Sequence, residues 1–255
     1  MKTGVSMPDK ILLVTGASRG IGRACALLAA ENGWAVGVNY REDAKAADAV
    51  VETIAKGGGR AVALKGDVSF EADAVGIFDA ATRALGPLTA VIANAGIIAP
   101  TAKLADMSAE RMRGIFEVNV LGAFLTAREA ARRLSKWSGG AGGSIVPMSS
   151  AAARLGSPNL YVDYAASKGA IDTLTLGLAK ELGPEGVRVN AIRPGLVDTE
   201  IHASGGEPDR ARTLGATAPL GRPGSADEIA AAAIWLVSDA ASYVTGALLD
   251  VSGGR

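Results

Sequence analysis

Short apolar runs alternate with longer stretches of helical periodicity along nearly the whole of this chain. Residues 10–15, 34–39, 61–65, 88–93, 143–148, 187–192 and 248–251 are short, apolar and bounded by turn residues. Hydrophobicity that is continuous, not alternating, predicts strands buried on both faces. After residue 20, and over 44–56, 72–85, 109–135, 161–182 and 226–238, the pattern is instead that of amphipathic helices. Strand and helix in alternation predict an α/β fold: a doubly wound parallel sheet of about seven strands with helices on both faces. Ligands of such sheets bind beyond the carboxyl ends of the strands, so chemistry is expected in the residues that follow the apolar runs.

Composition narrows the class. A chain of 255 residues, 49% hydrophobic, can bury a full core, and no Pro/Ser linker or charge block divides it. One catalytic domain is expected over residues 10–255, behind a tail at residues 1–9. The formal net charge of zero offers no electrostatic case for nucleic acid or an anionic membrane. No apolar run reaches the length of a membrane span and no secretory segment precedes the first strand, so a cytoplasmic protein is expected. The lone Cys25 cannot form an internal disulfide or a thiolate cluster, and the single His202 argues against a histidine-based triad or a zinc site. No metal is expected.

Two motifs carry the chemistry. The first strand runs into Gly16-Ala17-Ser18-Arg19-Gly20-Ile21-Gly22, and a helix follows at once. Glycines there permit a tight bend and close approach of the backbone to a pyrophosphate, while the N–H groups and helix dipole attract the anion. Further on, Tyr164 and Lys168 stand four residues apart and share one helix face. At ~4 Å and an effective dielectric of ~20, one ammonium stabilises a phenolate by up to ~4 kcal/mol, which would bring its pKa down by as much as ~3 units. A phenol so tuned could exchange protons near neutrality.

In order along the chain stand Thr15-Gly16-Ala17-Ser18-Arg19-Gly20-Ile21-Gly22, Asn94-Ala95-Gly96, a serine after the fifth strand, Tyr164-Ala165-Ala166-Ser167-Lys168, Pro194-Gly195 and Tyr243-Val244-Thr245-Gly246. In these the chain resembles the short-chain dehydrogenase/reductase family, in its short single-domain branch with a Rossmann-type sheet. The resemblance implies a catalytic tetrad of Asn119, Ser150, Tyr164 and Lys168. Tyr164 would exchange the proton of the carbonyl or alcohol oxygen, and Ser150 would hydrogen-bond that oxygen. Lys168 would hold the nicotinamide ribose and keep the tyrosine acidic; Asn119 would anchor a water that relays protons. The loop between serine and tyrosine is one residue longer than in many relatives, which leaves Ser149 open beside Ser150; strand alternation turns the two hydroxyls to opposite sides. Tyr161 has Ala165 four residues on and gains no charge.

The resemblance also implies a dinucleotide, held by Gly16, Ser18, Arg19, Gly20, Ile21, Gly22, Tyr40, Arg41, Asp67, Val68, Asn94, Ala95, Gly96, Pro194, Val197 and Thr199 besides Tyr164 and Lys168. No acidic residue stands at the end of the second strand, at Asn39-Tyr40, and Arg19 and Arg41 could clamp a 2′-phosphate; NADP(H) is preferred and NAD(H) is the alternative. The small-molecule carbonyl or alcohol substrate would lie between residues 152–159 and a polar, glycine-bearing loop near 200–222, which is expected to order only around ligand. His202 lies in that loop. Glu185 argues against docking of an acidic carrier protein, and Pro147 would remove a donor from the fifth strand. A homotetramer is expected, with contacts from the long helices and from the segment bearing Ile234, Trp235 and Leu236. The competing readings are a catalytically idle dinucleotide sensor and an epimerase or dehydratase on the same fold.

Overall fold

In the computed structural model, which describes residues 10–255, alternate residues of each central strand enter different cores. Strand β1 (Ile11–Val14) sends Leu12 and Val14 to one side and Ile11 and Leu13 to the other, all essentially without solvent exposure. Helix α1 (Gly20–Glu31) follows, then β2 (Ala35–Tyr40), α2 (Ala44–Lys56), β3 (Ala61–Lys65), α3 (Glu71–Leu85) and β4 (Ala90–Ala93). Next come α4 (Ala109–Phe116), α5 (Ala123–Leu134), β5 (Gly143–Pro147), the short α6 (Ala152–Leu155) and α7 (Val162–Leu182). The remainder is β6 (Val187–Val189), β7 (Ala191–Pro194), α8 (Ile201–Ser204), α9 (Arg210–Gly215), α10 (Ala226–Val237) and β8 (Leu248–Val251). The expected tail at residues 1–9 lies outside the described residues, as do the side chains of His202 and Ser204.

A parallel six-stranded sheet runs β3-β2-β1-β4-β5-β6, and β7 pairs in parallel with β8. One core packs α1, α2 and α10 on the sheet; the other packs α3, α5 and α7 on its opposite face. Each fully buried Leu or Ile contributes about 1.5–3 kcal/mol by leaving water. The strand order reverses between β1 and β4, which makes their carboxyl ends the place where a ligand can enter. No helix among the described residues is long and apolar enough to cross a membrane.

Two expected elements are divided in the structure. The single helix over 109–135 is interrupted by a π-helical segment at Glu117–Gly122, which contains the buried Asn119. The single strand over 187–192 is two strands, divided at Asn190: its backbone N–H still donates to Ile145 O of β5 at 3.1 Å, while its amide donates to Val244 O at 2.8 Å and its Oδ1 accepts from Ala247 N at 2.9 Å. Pro147 explains why the break is tolerated. Ser144 and Met148 donate toward β4, so the nitrogen of residue 147 faces the β6 side, where proline offers no proton. On the other side of β6 the Val189 carbonyl accepts from Gly246 N at 2.7 Å, and pairing with β5 resumes where Ser149 N donates to Ile192 O at 2.8 Å.

The segment near 200–222, expected to be irregular without ligand, holds two short helices. They are tied down by Arg212 to Asp198 at 3.5 Å, by Arg222 to Glu228 at 2.6 Å and by the Arg210 guanidinium lying 5.1 Å from the Tyr161 ring centre. Ile234 and Leu236 are core residues and only Trp235 of that trio is exposed, because α10 packs inward against α1. Thr89 and Glu185 support the scaffold: Thr89 Oγ1 accepts from Ile11 N at 3.0 Å, and Glu185 Oε2 accepts from Trp137 N at 2.7 Å.

Candidate active site

The turn after β1 is shaped by what it cannot accommodate. Gly16 and Gly20 have φ of +62° and +54°, and a Cβ on Gly22 would stand 2.3 Å from Gly16 O and 2.5 Å from Asn94 Nδ2. Only glycine fits there. Helix α1 begins without a side-chain cap and without an acid in its first turn, whereas α2 is capped by Asp43 and α10 by a Ser225–Glu228 capping box. Its first N–H groups are thus left for an anion. They border a cavity of about 270 Å³ lined by Gly16, Ser18, Arg19, Gly20 and Ile21 of the turn but not by Gly22, by Tyr40, Arg41, Asp67 and Val68, by Asn94, Ala95 and Gly96, and by Thr199.

Three polar residues, Thr15 and Asn39 buried and Asn94 partly so, brace this turn, a role their local sequence did not reveal. Thr15 Oγ1 accepts from the N–H groups of Asn94 and Ala95 at 3.0 and 3.1 Å. Asn94 Nδ2 returns bonds to the Thr15 and Gly16 carbonyls at 2.9 and 3.0 Å. Asn39 accepts from Gly16 N at 3.2 Å and donates to Leu64 O and Gly66 O, both at 3.0 Å. A polar residue at the end of an apolar run was the available signal. Asn39 borders the cavity, but its side chain is 2% exposed and committed to these bonds, so it acts as a brace.

Arg41 is half exposed, 2.7 Å from Glu42 and 3.8 Å from Asp67. Asp67 also accepts from Ser69 N and Oγ at 2.9 and 2.7 Å. Arg19, Arg41, Glu42 and Asp43 all border the cavity, so both signs of charge surround its outer end.

A second cavity of about 90 Å³ adjoins the first and shares Ile21, Asn94, Gly96 and Ile201 with it. Ser149, Ser150, Tyr164, Lys168, Pro194 and Val197 line it. Ser150 and Tyr164 are joined by a side-chain hydrogen bond, and Ser150 Oγ also accepts from Ala152 N at 3.1 Å. Ser149 is turned inward, with Oγ 2.7 Å from Asp172 Oδ1. Asn119 Oδ1 accepts from Ile97 N at 2.8 Å, and its amide donates to Ile97 O at 2.9 Å and Ser167 Oγ at 3.1 Å. A Cβ on Gly96 would meet Asn119 Oδ1 at 3.3 Å and Lys168 Nζ at 3.4 Å, which places those two atoms on the same glycine. Tyr161, dismissed as a partner for lysine, packs edge-on against Tyr164 with ring centres 6.0 Å apart.

The protonation pattern differs from the expected one. Burial pushes the Tyr164 phenol up to about 12, against the opposing pull of the Ser150 hydrogen bond. Burial likewise pulls Lys168 down to about 8, with the Asp172 charge acting the other way. The ammonium sits 5.6 Å from the Tyr164 ring centre and donates to Met148 O at 2.8 Å; desolvation, not the lysine charge, governs the phenol.

A family model described as Enoyl-(Acyl carrier protein) reductase matches residues 16–255. This chain belongs to the short-chain dehydrogenase/reductase family. Its oxidoreductase relatives span nearly its full length. The uncharacterized oxidoreductase YgfF of Escherichia coli (strain K12) is 50% identical over 245 residues, covering 96% of this chain and 99% of that protein. Glucose 1-dehydrogenase 2 of Bacillus subtilis (strain 168) is 37% identical over 248 residues, covering 97% and 95%. A short-chain dehydrogenase from Burkholderia cenocepacia J2315, solved in complex with NADP, is 34% identical with a TM-score of 0.86, covering 96% and 97%.

The brace generates a prediction about a substitution that, on sequence grounds, would favour NAD. Asn39→Asp replaces two donated bonds by a buried carboxylate facing the Leu64 and Gly66 carbonyls, a change expected to cost about 3 kcal/mol or more. Thermal unfolding should shift down by ~6 °C or more, and NADH binding should not improve. A variant with unchanged Tm and tighter NADH binding would overturn the assignment of Asn39 as a brace.

Proposed function

We propose that this short-chain dehydrogenase/reductase is an NADP(H)-preferring carbonyl reductase, also able to run as a secondary-alcohol dehydrogenase. The observation that carries the reading is the continuity of the two cavities: the glycine turn lies at one end and the Tyr164–Ser150 pair at the other. When bound, a nicotinamide dinucleotide supplies the hydride or accepts it. Tyr164 gives its phenolic proton to the carbonyl oxygen as carbon gains the hydride, and Ser150 hydrogen-bonds the same oxygen. With its pKa pushed up to about 12 the phenol holds its proton at neutral pH, which suits reduction. Lys168 is placed to hold the ribose hydroxyls and carries charge up to about pH 8. Asn119 fixes the Gly96–Ile97 backbone and leaves a lone pair on Oδ1 for a relay water.

Tyr164→Phe should bind NADPH nearly as the native protein does and lose turnover by about 10²- to 10⁴-fold, measured as NADPH oxidation over a panel of ketones, aldehydes and sugars. Native kcat/KM for reduction should be level through neutral pH and fall above about 8, where Lys168 gives up its charge. Comparable turnover by Tyr164→Phe would sink the proton-donor assignment, and a native protein that turns over no member of the panel would revive the reading as a dinucleotide sensor.

NADP(H) preference rests on Arg41 and Arg19 beside the cavity and on the absence of an acid at the end of β2. A charge-assisted contact to the 2′-phosphate is worth ~1.5–3 kcal/mol, and Arg41 must first leave Glu42, so Arg41→Ala should weaken NADPH about 10-fold and leave NADH nearly unaffected. Equal losses for the two cofactors would withdraw the preference.

The assembly we propose is a homotetramer. Phe116, Leu121 and Phe124 are exposed along α4, the π-helical segment and α5, and Trp235 of α10 and Tyr243 beyond it are exposed as well. Apolar side chains exposed on two separate segments of the chain suit a dimer of dimers. Light scattering at micromolar concentration should give the mass of four chains; a monomer would contradict it.

A further inference from the structure

Beyond the tetrad, one carboxylate on the helix of Tyr164 and Lys168 bonds to two other chain segments that reach the second cavity, at Ser149 and next to Pro194. Asp172 lies on α7 one turn past Lys168 and is 8% exposed. Its Oδ1 accepts from Ser149 Oγ at 2.7 Å, and its Oδ2 from Arg193 Nη2 and Nε at 2.7 and 3.1 Å. Both carboxylate oxygens are engaged by charge-assisted bonds, two of them short. Ser149 immediately precedes Ser150, and Arg193 immediately precedes Pro194. Ser149 Oγ also lies 3.1 Å from the Lys168 carbonyl, within reach of its one proton when that is not on Asp172. Well-packed apolar residues in place of both partners of such an ion pair are often no less stable, so the pair is weak evidence of a purely stabilising role.

We infer that Asp172, with Arg193 as its counter-ion, is the positioning residue of this site, fixing the Ser150 hydroxyl, the Lys168 ammonium and the Pro194–Gly195 turn against one another. The inference rests on the reading of the site as that of an NADP(H)-dependent reductase. Asp172 touches no reacting atom; it acts through Ser149, through Arg193 and through its charge. Asp172 on its own helix acts on the Lys168 charge, the Tyr164 ring lies 5.6 Å from the ammonium, Asp163 stands on the same helix, and Arg193 on β7 pairs with Asp172. Asp163 is neutralised by Arg111 of α4 at 2.8 Å, and Arg193 also feels Asp250, its register partner on β8. The Asp172 carboxylate holds the proton on Lys168, and the Arg193 guanidinium, by pairing with that carboxylate, is expected to oppose it.

That opposition separates positioning by charge from mere packing. NADPH affinity is measured by fluorescence between pH 6 and 10, about two pH units to either side of 8, for the native protein, Asp172→Asn, Arg193→Gln and the double variant. Asp172→Asn should move the pH at which affinity falls down by about half to one unit, Arg193→Gln should move it up, and the double variant should return it toward the native value. With the carbonyl compound that the native protein turns over, kcat should fall about 10-fold or more in Asp172→Asn while its KM changes little. Should Asp172→Asn fail to fold, Arg193→Gln and Arg193→Lys decide: the first moves the midpoint up and the second leaves it in place. Midpoints that stay fixed, or move in the same direction in both single variants, overturn the inference although NADPH binds. A native protein that does not bind NADPH removes the cofactor reading and this inference with it.

Discussion

Asn94 holds two successive carbonyl oxygens of the turn after β1 with one side-chain amide, and the rest of the site depends on that grip. The turn lies so close to the end of β4 that a Cβ on Gly16 would stand 3.0 Å from Ala95 Cα. Such proximity is possible only because Thr15 and Asn39 satisfy the backbone groups that the bend strips of partners. With its own N-terminal donors left free, α1 then points at the cavity where the strand order reverses. Cofactor geometry is in this way set by a few short hydrogen bonds between strand ends, more than by any charge.

On the substrate side burial sets the chemistry. Tyr164 and Lys168 are both taken out of water, and desolvation drives both toward their neutral forms. The lysine is kept in reach of protonation by the Met148 carbonyl and the Asp172 charge, while the phenol stays a proton donor. Cys25, also buried, is pushed up to about 12 and is inert as a nucleophile. The same physical term silences one residue and prepares another, and the difference lies in which of them borders a cavity.

Irregularities in the scaffold serve the same end. A proline in β5 and an asparagine between β6 and β7 interrupt one ladder, and beyond the interruption Arg193 pairs with Asp172 while Pro194 lines the cavity. The π-helical segment between α4 and α5 brings the Asn119 amide onto Ile97 and Ser167. Each departure from regular pairing stands next to a residue of the site.

Much of this was legible in the residues themselves. The parallel sheet with helices on both faces, the glycine turn and the shared helix face of Tyr164 and Lys168 follow from periodicity and steric limits, which are local properties of the chain. The interruptions at Asn119 and Asn190 were not legible, because each arises from bonds to residues far away in sequence. The sense of the Tyr164 shift was misjudged for a related reason: a spacing of four residues reveals a neighbour but not how much water the pair retains. Asp172 carries no signal in its local sequence, because Ser149 and Arg193, which close around it, stand on two other segments. The sequence by itself determined which elements form and which residue types face the strand ends; tertiary structure alone decided burial, and with it protonation, because desolvation depends on everything packed around a group and on nothing in its local pattern.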